Sequence, residues 1–443
     1  MIIKFSVQNF GSIKEEQILS FEAGKSEHLE DYYIIPVNGL RLLKLGLIYG
    51  ANASGKTTIL EALDFLCKIV LYPEEKKTNI FNFNPFLFDP DTPKQNTILS
   101  IGFIQNSIKY YYEVELNNKA VIREELNFYN PNKANVFKRT TNTDTQFSEI
   151  SFGSKIRAGK IFENTLKSNT LWNNTVLGGF LKTNIEIREL KDATDWFANH
   201  LSQLISPRTQ LDKFIIKLLD NSTIKKEDIL QILQKTDLSI SDIHVKKETT
   251  KESIFKILKT YNQSNQDDDL FINSGQNYTV SSEPDMEYTP FRPYSLEFEH
   301  TLNGKKYNLP FNLESQGTQR YYGFAGLLSL AIMESMVFMI DELESSLHPD
   351  LYSHFLISFL INSKESQIIA TTHNREILNN KDIFRTDAIW ITDKSDNCAT
   401  ELYSLSDFDT SVIRDTSNIY NAYKIGKLGG IPNLGDYYID IRK

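Results

Sequence analysis

Eight residues constrain this chain more than any others. Gly50-Ala51-Asn52-Ala53-Ser54-Gly55-Lys56-Thr57 has the form G-x-x-x-x-G-K-[ST]. An apolar run over residues 43–49 precedes it, with the profile of a buried strand. From Lys56 to Leu71, Ile59, Leu60, Leu63, Leu66, Cys67 and Val70 recur at helical spacing. Strand, glycine loop and helix in this order gather backbone N–H groups around one point at a helix N-terminus. Phosphate is held there by hydrogen bonds and by the helix dipole. Asn52, Ala53, Ser54, Gly55, Lys56, Thr57 and Thr58 are the expected nucleotide contacts. Lys56 would put a point charge on the β- and γ-phosphates, and the Thr57 hydroxyl would ligate Mg²⁺.

Such a loop needs a metal-holding carboxylate on a neighbouring strand. Val337-Phe338-Met339-Ile340-Asp341-Glu342 supplies one, an apolar run ending in two acids. Asp341 is the expected Mg²⁺ partner, and Glu342 the acceptor of a proton from an attacking water. Taken alone, the two acids would equally suit the cap of the next helix. Thr371-Thr372-His373 ends another apolar strand, 367–370, and places His373 to hydrogen-bond a γ-phosphate. Glu314-Ser315-Gln316-Gly317-Thr318-Gln319-Arg320 opens a helix. Ser315 and the Gly317 N–H suit a γ-phosphate there, and Ser315 suits an ordinary helix cap as well.

The remaining pattern organises the chain around these pieces. Residues 1–48 and 81–140 have strand character, with strands expected over 97–104, 109–116 and 120–129. Residues 160–260 read as mainly helical, 193–205 included. Residues 263–290 are polar and acidic, as in a mobile loop. Strands and helices alternate around 43–70 and 320–392, which predicts an α/β core. Lys56 and Asp341 lie much farther apart than a minimal nucleotide-binding domain requires. The expected division is an N-terminal lobe 1–140, a mainly helical insertion 141–293 and a C-terminal lobe 294–443. Residues 160–260 carry no sustained heptads, so a compact insertion is expected rather than a coiled coil.

Composition removes several function classes. Lys plus Arg is 48 against 57 for Asp plus Glu, a net charge of −9, which argues against a uniformly basic nucleic-acid coat. Lys138-Arg139 and Lys246-Lys247 are basic pairs of the kind most often found on solvated surface, and they leave room for a local DNA contact. Two cysteines, Cys67 and Cys398, build neither a disulfide framework nor a zinc site. The longest apolar stretch is broken by Glu334, so no membrane span is expected and a cytoplasmic location is the natural reading. Asp393 and Asp396 are better explained by a turn than by metal binding.

The order of phosphate loop, signature helix, acidic strand end and histidine switch resembles the ABC ATPase superfamily, including its SMC-like branch. Residues 311–318, 339–349 and 371–374 look closer to stand-alone bacterial AAA15/AAA21-type ATPases, the RloA-like or abortive-infection group. The tail Tyr423-Lys424-Ile425-Gly426-Lys427-Leu428-Gly429-Gly430-Ile431-Pro432 is similar to that group's C-terminal segment.

The resemblance implies an ABC-type α/β fold and two subunits that meet head to tail around two ATP molecules. Ser315 and Gly317 of one subunit would touch the γ-phosphate held by Lys56 of the other. Glu344-Ser345-Ser346 resembles the segment coupling the two sites. Slow hydrolysis would reopen the homodimer or larger oligomer. The group's members often work with a separate effector, a nuclease or toxin, under a phage-derived or DNA trigger. A DNA-repair ATPase is the alternative. A Toprim-carrying nuclease has too little chain after His373, and a transporter motor has the wrong signature motif.

Overall fold

The computed structural model describes residues 1–247, 294–408 and 416–432. The acidic stretch 263–290 lies outside them. The strands begin with β1 (Ile2–Gln8), β2 (Gln17–Ser20), β3 (Ile34–Val37), β4 (Leu40–Leu43), β5 (Leu45–Gly50) and β6 (Thr97–Gln105). They continue with β7 (Ile108–Leu116), β8 (Val121–Tyr129), β9 (Lys133–Asn142), β10 (Phe147–Phe152), β11 (Leu201–Ile205) and β12 (Ile240–Lys247). The C-terminal third adds β13 (Tyr294–Leu302), β14 (Lys305–Pro310), β15 (Val337–Ile340), β16 (Gln367–Thr371), β17 (Ile389–Lys394) and β18 (Thr400–Ser404). The helices are α1 (Glu30–Tyr33), α2 (Lys56–Leu71), α3 (Lys160–Asn169), α4 (Val176–Leu181) and α5 (Arg188–Asn199). After them come α6 (Leu211–Asp220), α7 (Lys226–Leu233), α8 (Gln316–Met333), α9 (Pro349–Asn362) and α10 (Thr416–Lys424).

Two sheets make the body. The first is antiparallel, in the order β10-β9-β8-β7-β6-β1-β2. The second runs β11-β15-β16-β5-β17-β18, parallel except for β18. β5 sits inside it, paired to β16 on one side and β17 on the other. Every residue of β5 and β15 is buried, as a parallel strand covered on both faces requires. This is the α/β fold the sequence predicts. Helix α2 buries Ile59, Leu60, Leu63, Leu66 and Val70, the spacing read from the sequence.

Three departures from expectation have physical causes. The first sheet runs past residue 140, because β9 passes through that residue and pairs with β10. Residues 201–205 are a strand, not the end of a helix: α5 stops at Asn199, and β11 pairs with β15 in the second sheet. Apolar residues at 201 and 205 suit helix spacing equally, so the distant partner decides. Third, Lys138 and Arg139 do not share a surface. Successive residues of β9 face opposite sides, and Arg139 is fully buried against Glu124 at 3.4 Å. Arg139 also donates to the carbonyls of Leu171, Trp172 and Asn174, while Glu124 accepts the Val176 N–H at 2.7 Å. This buried pair ties the first sheet to the start of α4. Lys246 is paired to Glu297 at 2.7 Å. No helix among the described residues is long and apolar enough to cross a membrane.

Candidate nucleotide-binding site

The phosphate loop leaves β5 and enters α2 with no side-chain cap on the helix. Its N-terminal N–H groups are therefore left for a ligand. Both motif glycines are dictated by close approach. A Cβ at Gly50 would collide with the hydroxyls of Thr392 and Ser54. Gly55 has φ +100° and would collide with Thr400. Neighbouring segments pin the loop. The Ser54 hydroxyl meets Thr392 Oγ1 at 2.6 Å, and Thr400 Oγ1 donates to the Ser54 carbonyl at 2.9 Å. Ser12, in the turn after β1, meets the hydroxyls of Thr400 at 2.7 Å and Thr58 at 3.1 Å. Asn52 and Ala53 stay exposed at the loop tip.

Lys56 is buried, and its ammonium lies across the loop, donating to the carbonyls of Gly50 at 3.1 Å and Ala51 at 3.0 Å. Burial lowers its pKa, opposed by Asp341, Glu342 and Glu344. The Thr57 hydroxyl donates to Asp341 at 3.0 Å, so the two expected metal ligands meet although 284 positions separate them. This oxygen pair fits Mg²⁺, which takes one or two protein oxygens and fills its shell with phosphates and water. Among the described residues no group of three or more His, Cys, Asp or Glu side chains offers a fuller cage.

Asp341 and Glu342 part company at the end of β15. Asp341 stays buried, whereas Glu342 is exposed and takes φ +46°, a left-handed turn unusual for a side chain of its size. One residue from the next strand holds both. Thr371 Oγ1 donates to Asp341 at 2.6 Å and accepts the Glu342 N–H at 2.8 Å. Sequence reasoning missed this role, although Thr371 stands two residues before His373 in the Thr-Thr-His run. His373 is exposed at the end of β16, and its N–H donates to Glu344 at 2.6 Å. Partial burial and then the Lys56 charge lower its imidazole pKa, which favours the neutral ring.

Ser315 and Gly317 stand at the start of α8. Ser315 caps the helix, accepting the Thr318 N–H at 3.1 Å. Gly317 lies against Ser346 of its own chain, since a Cβ there would stand 2.9 Å from the Ser346 carbonyl.

A cavity of about 510 Å³ opens at the beginning of the loop. Besides Gly50, Asn52 and His373 it is walled by Arg375, Lys394 and Tyr423. The C-terminal turn closes one side. Asp393 Oδ2 accepts the Gly430 N–H at 3.0 Å, and the Tyr423 hydroxyl donates to the Gly430 carbonyl at 3.0 Å. Asp393 thus anchors the tail, which the turn reading missed. Only the resemblance pointed to this segment, because the tail residues carry no spacing that predicts a site.

Residues 47–379 match the AAA_21 family model, described as AAA domain, putative AbiEii toxin, Type IV TA system. No curated protein matches. An SMC head domain from Thermotoga maritima shares 14% identity, with 91% of this chain and 98% of that chain covered and a TM-score of 0.40. An SMC head solved with the C-winged helix domain of ScpA shares 13%, with 91% and 97% covered and a TM-score of 0.43. Likeness at this level assigns nothing further.

Proposed function

The chain belongs to the AAA_21 family of AAA-domain proteins, and from that premise we propose that it is an ATP-binding and ATP-hydrolysing switch that closes as a dimer around nucleotide and controls a separate effector. The observation that carries this reading is the meeting of the Thr57 hydroxyl and the Asp341 carboxylate beside a buried Lys56.

This reading gives each residue a role. The N–H groups from Asn52 to Thr58 and the Lys56 ammonium bind the phosphates. Thr57 and Asp341 would hold Mg²⁺, which would offset charge on the phosphate oxygens. Glu342, turned out of the sheet while Asp341 stays in, accepts the proton of the attacking water. His373 presents a hydrogen bond to the terminal phosphate. Ser315 and the Gly317 N–H complete the site from a second copy. ATP then favours the closed pair because only that state contacts the terminal phosphate from both sides. In this reading 1–140 and 294–443 form the ATPase, and most of 141–293 is inserted between them, with β11 returned to the core sheet.

The family description, which includes a putative toxin and a toxin–antitoxin system, is what supports a toxin-linked role; in this reading the role is anti-phage defence with a nuclease or toxin partner. The engagement of Arg139 and Lys246 in ion pairs removes two cations once available to the DNA-repair alternative.

Lys56→Ala is expected to abolish ATP binding in an equilibrium titration. Glu342→Gln is expected to retain ATP and elute as a dimer on sizing chromatography with ATP. A strictly monomeric Glu342→Gln protein that still binds ATP would overturn the sandwich. Pull-down of the tagged protein during infection tests the effector, and recovery of repair proteins alone would favour the alternative.

A further inference from the structure

Arg375 opens the 3-10 turn that follows the histidine switch, two residues beyond His373. It is half-buried, faces the cavity at the phosphate loop, and forms no ion pair among the described residues. Its guanidinium instead stands 5.7 Å from the centre of the Tyr423 ring. That ring is itself fixed. It packs edge-on to Tyr49 at 5.8 Å, and its hydroxyl is bonded to Gly430, which Asp393 holds in turn. The Tyr423 pKa is pushed up to about 12, chiefly by burial, so the ring keeps its proton. Lys394 lines the same cavity and likewise forms no ion pair among the described residues.

Asp393 is the one carboxylate lining this cavity, and its Oδ2 is engaged by the Gly430 N–H, so the two cations outnumber it and an anionic ligand would complement them. The cavity wall includes Gly50, Ala51, Asn52 and Ser54 of the phosphate loop, and Lys56 donates to the carbonyls of Gly50 and Ala51. A rigid aromatic support limits the side-chain entropy that Arg375 loses on binding.

We propose that Arg375, positioned by Tyr423 of the C-terminal segment, binds the terminal phosphate of a nucleoside triphosphate in its own subunit and so distinguishes triphosphate from diphosphate. The assignment rests on the nucleotide site proposed above. The tail then has a role in recognition, since the Tyr423–Gly430 lock holds a charge detector at the mouth of the loop.

Equilibrium titration of the full chain with ATP, ADP and inorganic phosphate, each with Mg²⁺, tests the assignment. Arg375→Ala should weaken ATP about tenfold or more while changing ADP less than about twofold, the range expected for a charge-assisted bond. Tyr423→Leu should shift the ATP/ADP ratio in the same direction, and Tyr423→Phe, which keeps the ring, should stay near wild type. Unchanged circular dichroism and melting temperature establish that the variants are folded. Equal weakening of ATP and ADP, or no change in either, overturns the assignment. Tight binding of inorganic phosphate alone, lost in Arg375→Ala with ATP unaffected, assigns the cavity to a free anion and also overturns it. Failure of the wild-type chain to bind any nucleotide would instead sink the underlying site reading, and this inference with it.

Discussion

One hydroxyl sets the geometry of both acids at the end of β15. Thr371 donates to the Asp341 carboxylate and accepts the Glu342 N–H, which steadies the left-handed turn at Glu342. Such a conformation costs on the order of 1–2 kcal/mol and needs outside support. Thr371→Val keeps the shape and removes the support. We expect turnover to fall about tenfold with ATP affinity changed less than about twofold, measured by phosphate release and by titration. Thr371→Ser should recover most of the loss.

Lys44 gives a second residue-scale prediction, in pH. It is buried and donates to the carbonyls of Leu360 at 2.9 Å and Ser363, at the end of α9. Burial pulls its pKa from 10.5 to about 8. The unfolded chain therefore holds the proton more tightly than the folded one between pH 8 and 10.5. Stability attributable to this group rises with pH across that window, by about 3 kcal/mol at most, and is flat below it. Lys44→Met should remove this rise, read as the difference between the two proteins' denaturant midpoints across the same window. The motif residues were legible because their spacing is local. Thr371's double bond and Arg139's burial were not, because both depend on partners brought alongside by sheet register.

At the scale of elements, α8 presents two glycines to α6. A Cβ at Gly323 would lie 2.6 Å from Leu211, and one at Gly326 would collide with Ile215. The helix that carries Ser315 is thereby held tightly on its neighbour, with Arg320 donating to the Ser206 carbonyl at 3.0 Å. Gly326→Leu is expected to destabilise the fold by about 2 kcal/mol through overpacking, seen as a lower denaturant midpoint. Element type was largely readable from period: α2 has the bounds its apolar spacing predicts, and β6, β7 and β8 fall where alternation and turns place them. The failure at 201–205 has a plain cause. Five apolar-rich residues after a helix carry too little periodicity to separate strand from helix, and the pairing to Val337 that settles it is invisible locally.

At the scale of the molecule, the order of pieces in sequence is not their order in space. The second sheet places β5, from the start of the chain, between β16 and β17, which come from its last quarter. The second sheet joins β5, from residues 45–50, to β15, β16 and β17, from residues 337–394. Less legible was the closure of the loop by β18 and the tail, because Thr400 and Gly430 act through a hydroxyl and a backbone contact rather than through a motif.

That sheet order has a consequence for biosynthesis. The phosphate-loop sequence is translated well before its flanking strands β16 and β17 and before Thr392 and Thr400, which pin it. At roughly 5–20 residues per second, the finished loop waits tens of seconds for its walls. A nascent chain thus carries the phosphate-loop motif before the walls of the loop exist, and the loop takes its folded shape only once β16 and β17 are laid beside β5.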